Sequence, residues 1–159
     1  MDYQSSYQSP IGFLILKSDG LAVTEISFSE SDIQEKDECA VLLQCKQQLG
    51  DYFSGKSFDF DLPIAPEGTP FQKKVWDELL KIPCGETITY LELAVRMGDP
   101  KLVRAVGTAN GRNPLAIVVP CHRVIGAGNK LTGYAGGLDR KLWLLSYEMK
   151  NNPSKQTLF

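Results

Sequence analysis

Residues 115–125 read Leu-Ala-Ile-Val-Val-Pro-Cys-His-Arg-Val-Ile. Ala116 to Val119 form an unbroken apolar run, which reads as a strand held in the interior. Pro120 turns the chain and presents Cys121, with His122 and Arg123 directly behind it. His122 is the one histidine of the chain. A thiol at the end of a buried run is fixed in place, and an imidazole beside it offers a base to turn it into a thiolate. In an extended strand adjacent side chains point to opposite faces, so the two groups meet only if Pro120 bends the backbone or a water connects them.

Ionisation alone does not make an efficient nucleophile here. A thiol of pKa near 8.5 is roughly 3% thiolate at pH 7, so a lower pKa raises that fraction by at most about 30-fold. Part of the gain is lost because nucleophilicity falls with pKa. Positioning against an electrophile has to supply the larger share.

Downstream of the cysteine, Gly126 to Gly137 is a glycine-rich loop carrying Lys130, Tyr134 and Ala135, suited to shaping a pocket wall. A helix is expected from about Leu138 to near Glu148, with Leu138, Leu142 and Leu145 inward. Residues 151–159 read as a tail. Upstream, Asn113-Pro114 closes a helix that starts after the Asp99-Pro100 cap and runs to about Arg112. Before it, Thr89-x-x-Glu92 is a capping box opening a short helix through Met97, which Gly98 ends. Two short helices joined by a Gly-containing turn form a helix-turn-helix, a weak signal alone because any helical corner reads the same way. Ala105, Gly107, Ala109 and Gly111 give the second helix a smooth surface, from which Arg104 projects.

Further upstream, Thr69-Pro70 starts a helix with Phe71, Val75, Trp76, Leu79 and Leu80 on its apolar face, stopped by Pro83. Gly12–Lys17 and Leu21–Phe28 read as a β-hairpin. Residues 30–38 are acidic and read as a surface loop or helix start. Val41, Leu42, Leu49, Tyr52 and Phe53 mark a helical face ended by Gly55, and Phe58, Phe60 and Leu62 alternate as in a half-buried strand. Pro63 to Pro70 reads as a linker. The expected organisation is an α/β structural domain over 1–65, a mostly helical domain over 66–150, and a tail. A chain of 159 residues has room for one good core or two small domains.

The net charge of −2 hides an asymmetry. Residues 1–65 hold 4 Lys/Arg and 11 Asp/Glu, whereas residues 66–148 hold 11 and 8, net +3. Between 96 and 130, Arg96, Lys101, Arg104, Arg112, Arg123 and Lys130 face Asp99 alone. Positive charge concentrated about the cysteine motif suits a phosphate backbone. Four cysteines without a secretory signal read as free thiols, and no paired C-x-x-C ligands suggest a metal. No stretch is long and apolar enough for a membrane span. A cytoplasmic chain is expected.

Pro-Cys-His-Arg-Val, between Asn-Pro upstream and Tyr-Ala-Gly-Gly downstream, resembles the active-site motif of the O6-alkylguanine-DNA alkyltransferases, the methylated-DNA–protein-cysteine methyltransferases. The similarity extends over about Pro70 to Glu148, and the N-terminal part matches in general layout. The resemblance implies a ribonuclease-H-like N-terminal sheet with a helix. It also implies direct, irreversible transfer of an alkyl group from O6-alkylguanine, and from O4-alkylthymine, to Cys121 without a cofactor. His122, a water and Glu148 would form a relay to the thiol. Asn113 would brace the turn, and Tyr90 would donate a proton toward the departing base. Arg104 would fill the gap left by the extruded nucleotide, and Val124, Tyr134 and Ala135 would line the base pocket. The partner would be double-stranded DNA, bound by a monomer through the minor groove. Some relatives hold structural zinc with cysteine and histidine, which the single His122 precludes. Ala135 stands where some members carry serine, and the small Gly133 admits groups bulkier than methyl. Two other readings compete. A lesion sensor of the same fold would lack the nucleophilic cysteine, and a Cys-His peptidase keeps its two residues far apart in sequence.

Overall fold

The computed structural model describes residues 2–151, so the expected tail lies outside the described residues but for Asn151. The chain divides into two compact units, residues 1–67 with 114–116, and residues 68–113 with 117–159.

The first unit is a three-stranded antiparallel sheet in the order β1 (Tyr3–Ser9), β2 (Gly12–Ser18), β3 (Val23–Ser29), covered by helix α1 (Ala40–Phe53). The hairpin β2–β3 forms where it is expected, with Leu14 and Leu16 fully buried. Asp19 holds its turn by accepting from the amides of Leu21 and Ala22 at 2.8 and 2.9 Å. The polar composition of β1, Tyr-Gln-Ser-Ser-Tyr-Gln-Ser, carries no strand signal, yet it pairs with β2 along its whole length. Its inward positions are serines, Ser5 and Ser9, small enough to lie under the sheet's covering layer. Val41, Leu42, Cys45, Leu49 and Tyr52 form the buried face of α1, spaced as a helix requires.

Phe58, Phe60 and Leu62 do not form the expected strand. Their alternation serves a helix instead. Gln48 of α1 accepts from the Asp61 amide at 2.8 Å and donates to its carbonyl at 3.0 Å, as a neighbouring strand would. Phe58 and Phe60 then pack on Tyr52 with ring centroids 5.6 and 5.7 Å away. On β3, Ile26 donates to the Pro114 carbonyl and accepts from the Ala116 amide, at 2.8 and 3.0 Å, so Pro114–Ala116 complete this unit.

The second unit is mostly helical: α2 (Pro70–Leu79), α3 (Tyr90–Arg96), α4 (Val103–Gly111) and α5 (Leu138–Lys150), with a two-stranded parallel sheet of β4 (Ile88–Thr89) and β5 (Val124–Ile125). The expected N-caps at Thr69 and Thr89 are present. Thr69 and Gln72 form a reciprocal capping box on α2, as do Thr89 and Glu92 on α3. After Asp99, Pro100–Leu102 form a 3-10 turn before α4 begins, so the second helix starts later than its cap suggests. Trp76 of α2 donates its indole N–H to the Ala109 carbonyl of α4 at 2.9 Å, tying the helix pair to its support. The parallel pairing of Thr89 with Ile125 sets the start of α3 beside the segment that follows Cys121.

Candidate active site

The apolar run before the cysteine is buried but not a strand. Ile117 sits at φ 71°, a left-handed conformation costly for a β-branched residue, and it turns the chain at once. Pro120, at φ −82° and ψ 64°, then forms an inverse γ-turn closed by the Cys121 amide on the Val119 carbonyl at 2.8 Å. Cys121–Arg123 make a single 3-10 turn. Successive side chains therefore diverge by about a third of a revolution rather than alternating, which removes the geometric obstacle of an extended strand.

Two asparagines pin this turn from α4 and its C-terminal end. Asn113 donates to the Val119 carbonyl at 2.8 Å, and Asn110 to the Cys121 carbonyl at 3.3 Å. Asn113 thus stands where a brace was expected, whereas Asn110 was not singled out. Its signal was the helical spacing that puts it on the buried face with Val106 and Ala109.

His122 and Glu148 are fully buried, and His122 Nε2 lies 2.8 Å from Glu148 Oε2. His122 Nδ1 is buried with no hydrogen-bond partner among the described residues. Cys121 keeps 7% of its surface exposed, whereas His122 behind it keeps none. Arg123 is a correction to the charge reading. It adds nothing to a phosphate-facing surface, because its guanidinium is buried on Glu148. Nε donates to Oε1 at 2.8 Å, Nη2 to Oε2 at 3.0 Å, and Nη1 to the Ile82 carbonyl at 2.7 Å.

Helix α5 is rotated from the expected register. Leu138 and Leu142 are exposed, and the buried stripe runs Lys141, Leu144, Leu145, Glu148. Lys141 was missed, although it lies two turns before Glu148 on one face, so the inward placement of one implied the other. Its Nζ donates to the Thr132 carbonyl at 2.7 Å and lies 5.9 Å from the centre of the Tyr90 ring. Tyr90, the first residue of α3, donates its hydroxyl to that same carbonyl at 3.3 Å.

Electrostatics follow from burial. Desolvation pushes the Cys121 thiol up, opposed by the hydrogen bond from Asn113 and the charge of Lys141. Desolvation also brings Lys141 down to about 8. His122 is lowered, chiefly by desolvation, with Glu148 pulling the other way. Burial would raise Glu148, but its hydrogen bonds with His122 and Arg123 and the charge of Arg123 hold it well below the usual carboxylate range. Tyr134 is raised well above 10.0, by burial first and then by Cys121 and Glu148, which places its hydroxyl in the field of the site. Val124 is buried directly after the Cys121–Arg123 turn. Ala135 and Arg104 are exposed, Ala135 on the glycine-rich loop and Arg104 on α4, and neither is in the buried cluster. Nothing lies within 4 Å of a Cβ built on Gly111, so that end of α4 presents open backbone.

Residues 70–150 match the family described as 6-O-methylguanine DNA methyltransferase, DNA binding domain, and residues 3–66 match its ribonuclease-like domain. The chain belongs to the 6-O-methylguanine DNA methyltransferase family. A methylated-DNA–protein-cysteine methyltransferase of Methanosarcina acetivorans is 49% identical over 152 residues, 92% of this chain and 97% of the relative. One from Mycobacterium tuberculosis is 43% identical, covering 100% of this chain and 99% of its own length. Among solved structures of this methyltransferase family, the M. tuberculosis OGT in complex with DNA shares 45% identity. Its TM-score is 0.86, with 93% of each chain covered. The O6-methylguanine DNA methyltransferase of Methanococcus jannaschii, at 28% identity, gives a TM-score of 0.62 over 93% of this chain and 91% of its own.

Proposed function

We propose that this chain repairs DNA by moving the alkyl group of O6-alkylguanine, and of O4-alkylthymine, onto Cys121, once per molecule. The observation that carries the reading is a thiol on a pinned turn, backed by a buried imidazole whose Nδ1 has no partner among the described residues. The thiol proton passes to His122 Nδ1 through a water, sulfur attacks the alkyl carbon, and the carbon–oxygen bond breaks. The electron pair leaves with the base, which takes a proton from the Tyr90 hydroxyl. Lys141, brought down to about 8 and donating to the same carbonyl as Tyr90, is the ammonium beside that step. The product thioether is a very poor leaving group, and no second nucleophile among the site residues returns the thiol.

Residues 66–150 would act as the DNA-binding and transfer domain and residues 1–65 as its structural companion. The alkylated oxygen faces the stacked duplex, so the base must be extruded, at a cost of a few kcal/mol that is smaller for weakened pairs. The exposed face of α3–α4 docks in the minor groove, with Arg104 taking the vacated space and Val124, Tyr134 and Ala135 lining the base pocket. A monomer suffices for this geometry, and the reducing cytoplasm suits a reaction that consumes a free thiol. The test is a duplex carrying O6-methylguanine, followed by intact-mass and peptide analysis. One methyl on Cys121 per molecule is expected. Turnover, methyl on Cys39, Cys45 or Cys84, or tight binding without a mass change would reject the reading.

A further inference from the structure

The relay above treats Glu148 as the partner of His122, yet both carboxylate oxygens are also held by Arg123. Nε reaches Oε1 at 2.8 Å and Nη2 reaches Oε2 at 3.0 Å, the bidentate arrangement that fixes a guanidinium on a carboxylate. We infer that Arg123 is a positioning residue that sets the resting charge of the cluster, so that His122 waits as the neutral imidazole.

The charges of this cluster lie beneath the surface, away from bulk solvent. Glu148 and His122 are fully buried, and Arg123 is 7% exposed. With Arg123 in position, the cluster is neutral when His122 is neutral and carries +1 when it is protonated. Without Arg123 the balance shifts: Glu148 loses the guanidinium bonded to both its oxygens, and an imidazolium at His122 takes over as the charge hydrogen-bonded to it. A buried site strongly prefers the arrangement without net charge. The other groups acting on His122 work in the same direction or are uncharged at rest. Lys141 of α5 adds positive charge, and burial holds the Cys121 thiol and the Tyr134 hydroxyl protonated.

The consequence concerns the nitrogen facing away from Glu148. In neutral His122 the proton on Nε2 bonds Glu148, so Nδ1 keeps its lone pair, and Nδ1 is the buried atom without a partner among the described residues. Only in that state can the ring accept the thiol proton. An imidazolium at rest would have nowhere to put it.

The inference deepens the alkyl-transfer reading and rests on it for its purpose, but its test needs no DNA. His122 is the one histidine of the chain, so a tag-free protein labelled with nitrogen-15 gives a single imidazole signal set. The unmodified protein should show a neutral ring protonated at Nε2 alone throughout pH 6.5–9. A doubly protonated ring at pH 7, or a proton on Nδ1, overturns the inference without any variant. Arg123→Gln, which can still hydrogen-bond Glu148, should be doubly protonated at pH 7. Arg123→Lys should restore the neutral ring, and so should Arg123→Gln combined with Glu148→Gln. In transfer assays Arg123→Gln should lose about tenfold or more at pH 7, the neutral fraction left once the ring titrates a unit above the pH, and recover as pH rises. A neutral ring in folded Arg123→Gln, or an imidazolium in folded Arg123→Lys, rejects the role of charge. Where Arg123→Gln does not fold, the unmodified protein and Arg123→Lys still decide. Absence of transfer in the unmodified protein, with the expected tautomer present, would count against the alkyl-transfer reading and not against Arg123.

Discussion

Cys121 is held by its backbone more than by its side chain. Val119 and Cys121 each give a carbonyl to an asparagine, so the sulfur's direction is set before any substrate arrives. Replacing Cys121 with Ser should preserve binding to a duplex carrying O6-methylguanine, by gel shift, while abolishing methyl transfer in a mass assay. Lys141 matters differently. Its charge opposes the rise that burial imposes on the thiol, so Lys141→Met should slow both iodoacetamide labelling of Cys121 and methyl transfer, by roughly tenfold or more. The same lysine leaves a mark on stability. Its pKa is lowered to about 8 in the folded chain against 10.5 when free, so the unfolded chain binds more protons between those values. Stability should therefore rise as pH climbs from about 8 to about 10.5, and Lys141→Met should flatten that rise in denaturant titrations. Glu148 and Lys141 also mark the limit of reading residues singly. By type each is a surface residue. Only their shared helical face with Leu144 and Leu145 says otherwise, and a register anchored on the more numerous leucines points the wrong way.

At the scale of elements, helix ends were the most legible feature. Thr89 and Glu92 form the expected reciprocal bonds at 3.1 and 3.2 Å, because the side chains that satisfy free amides lie within four residues of them. Thr89→Ala should cost about 1 kcal/mol in chemical denaturation, a typical loss for an N-cap. Strands were less legible, since the pairing partner is not written locally. Phe58–Leu62 alternates like a strand but bonds glutamine side chains, and β1 pairs fully with hardly an apolar residue. Ala116–Val119 is apolar and buried, yet Ile117 turns it. Exposure of Arg104 on α4 supports its proposed part in extrusion. Because unstacking costs a few kcal/mol, Arg104→Ala should lower transfer from duplex by roughly ten- to a hundredfold. Transfer from the free alkylated base should stay near the unmodified rate, and equal losses on both would contradict the role.

Over the whole molecule, charge is divided by sequence: residues 1–65 are strongly acidic and residues 66–148 are net +3. Binding to duplex should therefore weaken steeply with added salt, and fluorescence anisotropy at two salt concentrations would measure it. Burial of Arg123 removes one cation from that count, which residue totals do not reveal. No local signal marks Pro114–Ala116 as part of the first unit either, because their partner, Ile26, lies nearly ninety positions earlier.

That short returning segment governs how the gene can be cut. A break at residue 67 severs no helix and looks harmless, yet it hands the amino-terminal piece a β3 whose Ile26 amide and carbonyl have lost their mates. Amide exchange at Ile26 should be markedly faster in such a piece than in the intact chain. Three residues from the far side of that cut finish the first piece, and it is incomplete without them.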